Sequence, residues 1–272
     1  MNFQWLFDRP IAHRGLHNAS APENSMPAYA LAIEKNFNIE IDVHVSKDGH
    51  VVVFHDDNLK RVCGVNKLVK DCTLAELKSY RLCGSEYTIP TFEEFLALVD
   101  GKVGILCEIK GINPFNHKIV RETIKALKDY KGHIALQSFD FGAVLYAKRH
   151  CDLPVGELCT WCSIDAKKYR WAPCNFMGKL WVNRFTRPDF IAYDARAVDK
   201  SLPENKYIAK WGYKLPILMW TINSEERIER AQKYANNIIF ENLDADYVES
   251  KIGTFMPFRC KENKLPSNND RK

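Results

Sequence analysis

Ile39-Glu40-Ile41-Asp42-Val43 is the stretch that decides the fold, because it alternates apolar and acidic residues as a β-strand does. Residues two apart on a strand share a face, so both carboxylates point the same way. Ile39, Ile41 and Val43 lie on the opposite face, and this apolar face is buried if it packs against helices. Glu40 and Asp42 therefore point inward from a sheet that carries its helices outside, which is the arrangement of a closed barrel.

On both sides of this stretch, the chain alternates short apolar runs with segments of helical period, which predicts parallel strands joined by helices. Strands are predicted at residues 11–13, 39–45, 103–110, 134–138, 155–158, 190–193, 217–221 and 238–240. Helices are predicted at residues 26–35, 91–99, 118–129, 141–150, 201–211, 224–234 and 245–252. These elements indicate an α/β fold, a (β/α)8 TIM barrel. The alternative is an open doubly wound sheet, but no G-x-G-x-x-G turn follows any predicted strand.

A single domain accounts for the 272 residues, since barrels of this type have about 250. Residues 51–87 interrupt the alternation and are predicted to be a small insertion after the second strand. We therefore expect one barrel domain over residues 1–260. Residues 261–272 are polar and rich in Asn and Lys, so we expect a disordered tail there.

Charge argues against nucleic acid as a partner, and hydropathy argues against a transmembrane segment. The net charge is +5, and residues 260–272 supply +2 of it, which leaves too little for a nucleic-acid footprint. No window approaches the roughly 18 consecutive apolar residues of a membrane helix, and the first ten residues do not resemble a secretory signal.

Nine cysteines at irregular spacing predict free thiols in a reducing compartment, so the expected location is the cytoplasm. Cys159 and Cys162 form a C-x-x-C pair without a second pair or a thioredoxin-like context. We interpret both as small, partly buried residues.

Three carboxylates are candidate metal ligands. Burying Glu40 and Asp42 together without a partner is costly, and Glu108 offers a third oxygen from the neighbouring strand. A set made only of carboxylates suits one divalent cation, Mg²⁺ or Ca²⁺. The alternative is a salt-bridge network in which Arg14 and Lys110 neutralise these groups without a metal.

Two histidines lie at predicted strand ends near this cluster. His13 ends the first strand, and His55 ends an extended run in the insertion. Imidazole titrates near working pH, so the two suit a general acid and base. With Arg14 and Lys110, they indicate a negatively charged substrate that needs two proton transfers, which fits a phosphodiester.

Ten short motifs follow one another in register over roughly residues 10–245. They are His13-Arg14-Gly15, Pro22-Glu23-Asn24-Ser25, Glu40-Ile41-Asp42-Val43, Lys47-Asp48-Gly49-His50-Val51-Val52-Val53-Phe54-His55-Asp56, Thr73-Leu74-Ala75-Glu76-Leu77, Ile89-Pro90-Thr91-Phe92-Glu93-Glu94, Glu108-Ile109-Lys110, Gln137-Ser138-Phe139, Pro188-Asp189-Phe190-Ile191 and Trp220-Thr221-Ile222-Asn223. With these motifs the chain resembles the glycerophosphodiester phosphodiesterase family.

The resemblance implies a TIM barrel with a characteristic insertion after the second strand, which accounts for residues 51–87. It also implies a metal held by the three carboxylates, a general acid–base pair, and residues that bind the phosphate or line the pocket. By matching position, these are Glu40, Asp42 and Glu108 for the metal, His13 and His55 for catalysis, Arg14 and Lys110 for the phosphate, and Trp220 for the pocket. Two further candidates for contact with the substrate are Gln137 and His17.

The chain departs from the family pattern at the last strand. That strand runs into Glu241-Asn242-Leu243, where the family usually has Thr-Asp-x-Pro. Residues 160–187 match no family motif and contain Trp161, Trp171 and Trp181, which we interpret as aromatic packing.

The expected activity is metal-dependent hydrolysis of a small-molecule glycerophosphodiester to an alcohol and glycerol 3-phosphate. The attacking oxygen is that of water, or the substrate's own 2-hydroxyl through a cyclic phosphate. The alternatives are a lysophospholipase D-like activity with residues 160–185 facing a membrane, a non-catalytic barrel that binds phosphodiesters, and a metal-assisted lyase or aldolase. The sequence leaves open the head group, the physiological metal, the oligomeric state and the roles of the two histidines as acid and base.

Overall fold

Eight parallel strands close into a barrel in the computed structural model of the chain, which describes residues 3–111, 117–160, 182–197 and 215–257. The strands are β1 (Ile11–Ala12), β2 (Asn38–Val45), β3 (Val51–Val53), β4 (Ile105–Ile109), β5 (Ile134–Ser138), β6 (Val155–Cys159), β7 (Phe190–Asp194), β8 (Ile217–Ile222) and β9 (Asn237–Phe240). The helices are α1 (Trp5–Asp8), α2 (Met26–Glu34), α3 (Lys60–Cys63), α4 (Leu74–Ser79), α5 (Phe92–Val99), α6 (Lys118–Ala126), α7 (Phe141–His150), α8 (Asn183–Thr186), α9 (Glu225–Ala231) and α10 (Ala245–Glu249).

The barrel closes at β1, which pairs in parallel with both β2 and β9. From β2, the order continues through β4, β5, β6, β7 and β8 to β9. β3 lies outside this ring and pairs antiparallel with the end of β2, with Val43 opposite Val53. The predicted (β/α)8 barrel is therefore confirmed. The predicted helix at residues 201–211, Cys162, the three tryptophans Trp161, Trp171 and Trp181, and the predicted tail lie outside the described residues.

Side-chain caps explain where several helices begin. Ser25, Thr91 and Ser224 accept backbone N–H groups at the starts of α2, α5 and α9. The helices predicted at 91–99 and 224–234 therefore begin one residue later, and the second of them ends at Ala231. The four-residue α1 was not predicted, because it is too short to show a helical period.

Two apolar layers lie on the two sides of the barrel wall. The inner layer is formed by alternate strand residues and by Phe3 and Leu6 from the N-terminal segment. Its strand members are Ile11, Leu106, Ala135, Leu158, Phe190, Ala192, Leu218 and Ile239. The outer layer packs the other strand face, including Ile39, Ile41 and Val43, against the helices. The inward direction of Glu40 and Asp42 follows from this packing.

Residues 51–87 have a small apolar core, to which Ile89 also contributes. Phe54 is buried in it directly before His55, so the insertion holds the backbone that carries this histidine. The other fully or nearly buried members of this core are Val52, Leu59, Val62, Val69, Cys72, Leu77, Leu82 and Ile89. Among the described residues, none of the helices has the length and apolar character needed to cross a bilayer.

Candidate active site

The three predicted metal ligands meet inside the barrel. Glu40 and Asp42 project from β2, and Asp42 is the register partner of Glu108 on β4. One carboxylate oxygen of each residue lies within 4.8 Å of the others, and all three residues are buried. Strand pairing therefore creates the cluster, because neighbouring parallel strands bring residues of equal height side by side.

Two cations lie against these carboxylates, as in the predicted salt-bridge network. Lys110 Nζ is 2.6 Å from Glu108 Oε1 and 2.9 Å from Asp42 Oδ1. Arg14 Nε is 3.5 Å from Asp42 Oδ2, and the Arg14 backbone N–H donates to Glu40 Oε2 at 3.1 Å. The network and a metal site are compatible, since three carboxylates and two cations leave one negative charge uncompensated.

Burial and mutual repulsion shift the pKa values of the three carboxylates in different directions. Burial raises the pKa of Glu40 well above its usual range, and Asp42 and Glu108 raise it further. Burial also raises the pKa of Glu108 to about 7, although Lys110 opposes the shift. Burial alone would raise the pKa of Asp42 as well, but Lys110, His55 and Arg14 together hold it below its usual range. A hard cation bound between the oxygens would relieve this repulsion, so the donor set fits Mg²⁺ or Ca²⁺.

The loop after β1 positions Arg14 and ties a further residue to the cluster. Arg14 has a left-handed φ of 56°, and Gly15 follows at 82° where a Cβ would lie 2.9 Å from the Ala28 backbone. In the same loop, Asn24 donates from Nδ2 to Asp42 Oδ2 at 3.0 Å. Tyr29 Oη, on α2, donates to Asn24 Oδ1 at 2.9 Å. Asp42 is thus oriented by contacts from two directions.

His13 is held by a carboxylate that the sequence analysis did not assign. Its Nδ1 lies 2.6 Å from Glu241 Oε2, which leaves Nε2 on the side of Glu40 at 4.0 Å. Burial lowers the pKa of His13, and Glu241 opposes that shift. The hydrogen bond from His13 in turn holds the pKa of Glu241 far below its usual range. His17 Nε2 is 3.7 Å from the same carboxylate, so this candidate lies beside His13.

The sequence marks Glu241, because this residue stands where the last strand departs from the family pattern. A charged residue directly after the closing strand of a barrel lies next to the end of the first strand.

His55 also has a carboxylate partner, and a chain of ion pairs supports it. His55 Nδ1 lies 2.5 Å from Asp56 Oδ1, and Arg61 Nε donates to Asp56 Oδ2 at 2.7 Å. Arg61 also donates to both oxygens of Glu23, which accepts from Arg14 Nη1 at 2.9 Å. Burial lowers the pKa of His55. The insertion, through Arg61, therefore braces His55 against the loop that carries Arg14.

A small pocket of about 70 Å³, which we call the catalytic pocket, is lined by His13, His55 and the metal-ligand candidates Glu40 and Glu108. Four predicted substrate contacts, Arg14, Lys110, Gln137 and Trp220, also line it, whereas the candidate His17 does not. The rest of the wall is formed by Phe139, Leu158, Thr221 and Ile239.

Aromatic and amide side chains line part of the catalytic pocket. Trp220 Nε1 donates to the Ala192 carbonyl at 3.0 Å, and its ring meets Phe139 edge-on at 5.5 Å between centroids. Gln137 is buried, and its Oε1 has no hydrogen-bond partner among the described residues. An unpartnered buried amide oxygen facing a pocket indicates a polar ligand there.

Comparison with known proteins agrees with this geometry. Residues 13–243 match the model of the Glycerophosphoryl diester phosphodiesterase family. The chain belongs to this family. The matched range includes every residue that the sequence analysis assigned to the site, from His13 to Trp220.

Several curated relatives match this chain in part or along most of its length. A putative glycerophosphodiester phosphodiesterase of Bacillus subtilis is 39% identical over 144 residues, which cover 49% of this chain and 58% of that protein. A lysophospholipase D of Rattus norvegicus is 32% identical over 142 residues, 47% of this chain and 43% of that protein. An uncharacterized protein of Mycoplasma genitalium is 27% identical over 89% of this chain and 97% of its own length. The chain spans little more than half the length of the first of these relatives.

Solved structures of the family share the fold. A phosphodiesterase of Oleispira antarctica, in complex with the product sn-glycerol-3-phosphate, is 22% identical with a TM-score of 0.73 over 89% of this chain and 95% of its own. A glycerophosphodiester phosphodiesterase of Thermotoga maritima is 26% identical, with a TM-score of 0.67 over 88% and 95% of the two chains.

Proposed function

We propose that this chain hydrolyses glycerophosphodiesters to an alcohol and glycerol 3-phosphate, with one bound divalent cation. The observation that carries the proposal is that two histidines, each hydrogen-bonded to its own carboxylate, line the same pocket as the carboxylate cluster. This combination suits a phosphodiester, because its hydrolysis needs charge neutralisation at phosphorus and two proton transfers. The names of several relatives support the same substrate class.

Glu40, Asp42 and Glu108 are the residues proposed to hold the cation, as Mg²⁺ or Ca²⁺. The bound ion would supply positive charge to the phosphate oxygens. Arg14 and Lys110 add two further positive charges, since both lie at the cluster and line the catalytic pocket. Together these groups stabilise the extra negative charge that develops at phosphorus during the displacement.

His13 and His55 are the proposed acid and base. One imidazole accepts a proton from the attacking oxygen as that oxygen bonds to phosphorus. The other donates a proton to the alcohol oxygen as the bond from phosphorus to that oxygen breaks. Glu241 and Asp56 hold the two rings by Nδ1, which leaves each Nε2 available for the proton transfer.

Trp220 and Phe139 are proposed to pack against the carbon atoms of the glycerol arm, with Gln137 Oε1 accepting from a glycerol hydroxyl. The related Oleispira antarctica structure, with its glycerol-3-phosphate product, supports a product of this class. The proposal takes residues 1–260 as one domain. It keeps the cytoplasm as the location, which the free thiols of the six described cysteines support.

A lysophospholipase D-like activity is the second candidate, because relatives with that name match nearly half of this chain. One assay separates the two activities. Release of glycerol 3-phosphate is followed from glycerophosphodiesters, and release of the head-group alcohol from lysophospholipids, each with and without a chelator.

We expect release of glycerol 3-phosphate from glycerophosphodiesters. A chelator should abolish this release, and added Mg²⁺ or Ca²⁺ should restore it. Turnover of lysophospholipids alone would assign the second activity. Tight binding of either substrate without any turnover would identify a non-catalytic barrel.

A further inference from the structure

His44 is a buried polar side chain beside the active site that the proposed mechanism does not use. It lies on β2 two residues after Asp42, so the two side chains leave the same face of the strand. The His44 side chain is only 9% exposed. Among the described residues, neither the carboxylate cluster nor the lining of the catalytic pocket includes it. A buried imidazole needs a hydrogen-bond partner, and that partner indicates its role.

The partner of His44 is the main chain of a proposed catalytic residue. His44 Nε2 lies 3.2 Å from the carbonyl oxygen of His55. A carbonyl oxygen only accepts hydrogen bonds, so Nε2 carries the proton and donates it. The other ring nitrogen, Nδ1, is 4.0 Å from Asp57 Oδ1, which is too far for a hydrogen bond. The ring therefore acts as a donor to the His55 backbone, and its donating nitrogen has no lone pair left for a cation.

The main chain around His55 has no other hydrogen bond of this kind. The backbone pairing of β2 with the insertion ends at Phe54, whose N–H donates to a carbonyl of β2 at 2.9 Å. The next main-chain hydrogen bond along the chain is accepted by the Asp57 carbonyl. In the part of the chain that the structure describes, His55 and Asp56 make no hydrogen bond to another main-chain group. The side chain of His44 therefore holds the backbone between these two points.

The ring of His55 and its main chain are held by different neighbours. Asp56 holds the ring at Nδ1, and Arg61 holds Asp56. The hydrogen bond from His44 holds the carbonyl, and with it the main-chain position from which the ring extends. Because His44 lies on β2, that position is tied to the strand that carries two of the proposed metal ligands. A catalytic group displaced by about 1 Å can cost roughly 100-fold in rate, so the proton transfer depends on such a contact.

We propose that His44 is a positioning residue for His55: its Nε2–H holds the His55 carbonyl and keeps the ring where it exchanges a proton with the substrate. This inference rests on the proposed function and adds a residue to it. His44 itself exchanges no proton with the substrate. Its influence on the rate passes through His55 alone.

Three substitutions of His44 separate the position of the donor from the size of the side chain. His44→Gln places an amide N–H close to the position of Nε2, whereas His44→Asn places one close to that of Nδ1. His44→Leu fills the space without a donor. Hydrolysis of a glycerophosphodiester is measured on the full chain with Mg²⁺ or Ca²⁺, together with the thermal unfolding of each variant. The matched control is His50→Leu, at an exposed position directly before β3.

His44→Leu and His44→Asn should lower kcat about 10-fold while KM stays within about 2-fold of wild type, since the contact acts on proton transfer and not on binding. His44→Gln should keep at least roughly a third of the wild-type kcat, because it restores the donor. The control should behave as wild type. Wild-type kcat in the Leu and Asn variants, or an equal loss in all three, would overturn the proposal. If His44→Leu does not fold, the comparison of Gln with Asn decides.

A double-mutant cycle with His55 shows whether the effect passes through that residue. In the His55→Ala background, His44→Asn should change kcat by less than about 2-fold, because the ring that His44 positions is gone. A loss of about 10-fold in both backgrounds would show that His44 acts elsewhere, and would overturn the proposal.

Crystal structures of the wild type and of His44→Asn test the positional claim without any turnover. We expect the His55 ring of the variant to shift by about 1 Å relative to Glu40, Asp42 and Glu108. An unmoved ring would overturn the proposal. If the wild type hydrolyses no glycerophosphodiester, the proposed function fails by itself, and this comparison still decides whether His44 sets the position of His55.

Discussion

His13 and Glu241 are joined by a 2.6 Å hydrogen bond across the seam where β1 pairs with β9. They are 228 positions apart in the sequence, and closure of the barrel brings them together. The carboxylate fixes the ring through Nδ1 and counteracts the burial that lowers the pKa of His13. This contact gives a largely buried imidazole both an orientation and a partner for its positive charge.

Replacing Glu241 should therefore slow catalysis without weakening substrate binding. We expect Glu241→Ala to lower kcat by about 10- to 100-fold with little change in KM, since the ring loses its orientation. Glu241→Gln keeps an oxygen that accepts a hydrogen bond from His13 Nδ1, so its kcat should fall less than that of Glu241→Ala. Glu249→Ala, an exposed position on α10, is the control. Wild-type kcat in Glu241→Ala would show that the contact does not position His13.

His13→Ala and His55→Ala should each lower kcat by at least about 100-fold, because each removes one proton transfer. Neither residue is a proposed metal ligand, so thermal unfolding and cation binding should remain near those of the wild type. A substrate with a p-nitrophenol leaving group should restore the rate of only one variant, and that variant identifies the acid. Near wild-type turnover in both variants would contradict the two-histidine mechanism.

Mg²⁺ or Ca²⁺ should raise the melting temperature of the protein. Binding to the folded state alone adds about 2.7 kcal/mol to the free energy of unfolding at a ligand concentration 100 times Kd. Glu40→Gln and Glu108→Gln should reduce or abolish this rise, and Glu93→Gln on α5 should retain it. The measurement is thermal unfolding with a cation titration. A wild type insensitive to both cations would leave the salt-bridge network as the role of these carboxylates.

Arg61 should influence catalysis although it does not line the catalytic pocket. Arg61→Ala removes the ion pairs to Asp56 and Glu23, so we expect kcat to fall about 10-fold as His55 loses its support. KM and the cation-dependent rise in melting temperature should change little. Arg61→Lys should recover part of the rate. Arg121→Ala, at an exposed position on α6, serves as the control, and equal kcat in the two alanine variants would refute a positioning role.

Glu157 should make the free energy of unfolding decrease as the pH rises from about 4.5 to about 8. It is fully buried on the outer face of β6, and burial raises its pKa to about 8, with Thr186 and Asp140 as further influences. The folded state therefore keeps its proton between about pH 4.5 and pH 8, while the unfolded chain loses it. Stability from this group is present below about pH 4.5 and is lost as pH rises to about 8, by up to about 4 kcal/mol.

Glu157→Gln removes this proton linkage. The free energy of unfolding of the variant minus that of the wild type should therefore be larger at pH 8 than at pH 5, as measured by denaturant titration at both values. A substitution of the exposed Glu229 by Gln gives the reference slope. An identical pH dependence of the wild type and Glu157→Gln would contradict the raised pKa.

The sequence by itself determined which polar side chains face the interior of the barrel. The alternation of β2 places Glu40 and Asp42 inward, because the apolar residues between them must face the helices. The positions of the strands follow from similar local patterns, and those patterns place His13 at the end of one strand and Glu108 near the end of another. The family motifs link these residues to a phosphodiesterase without reference to any contact.

The tertiary structure alone decided which residues meet. Glu241 reaches His13 only because β9 closes onto β1, and Arg61 reaches Glu23 only because the insertion folds back over the loop after β1. A periodic pattern fixes the face on which a side chain lies, whereas the pairing of distant elements depends on the packing of the whole barrel.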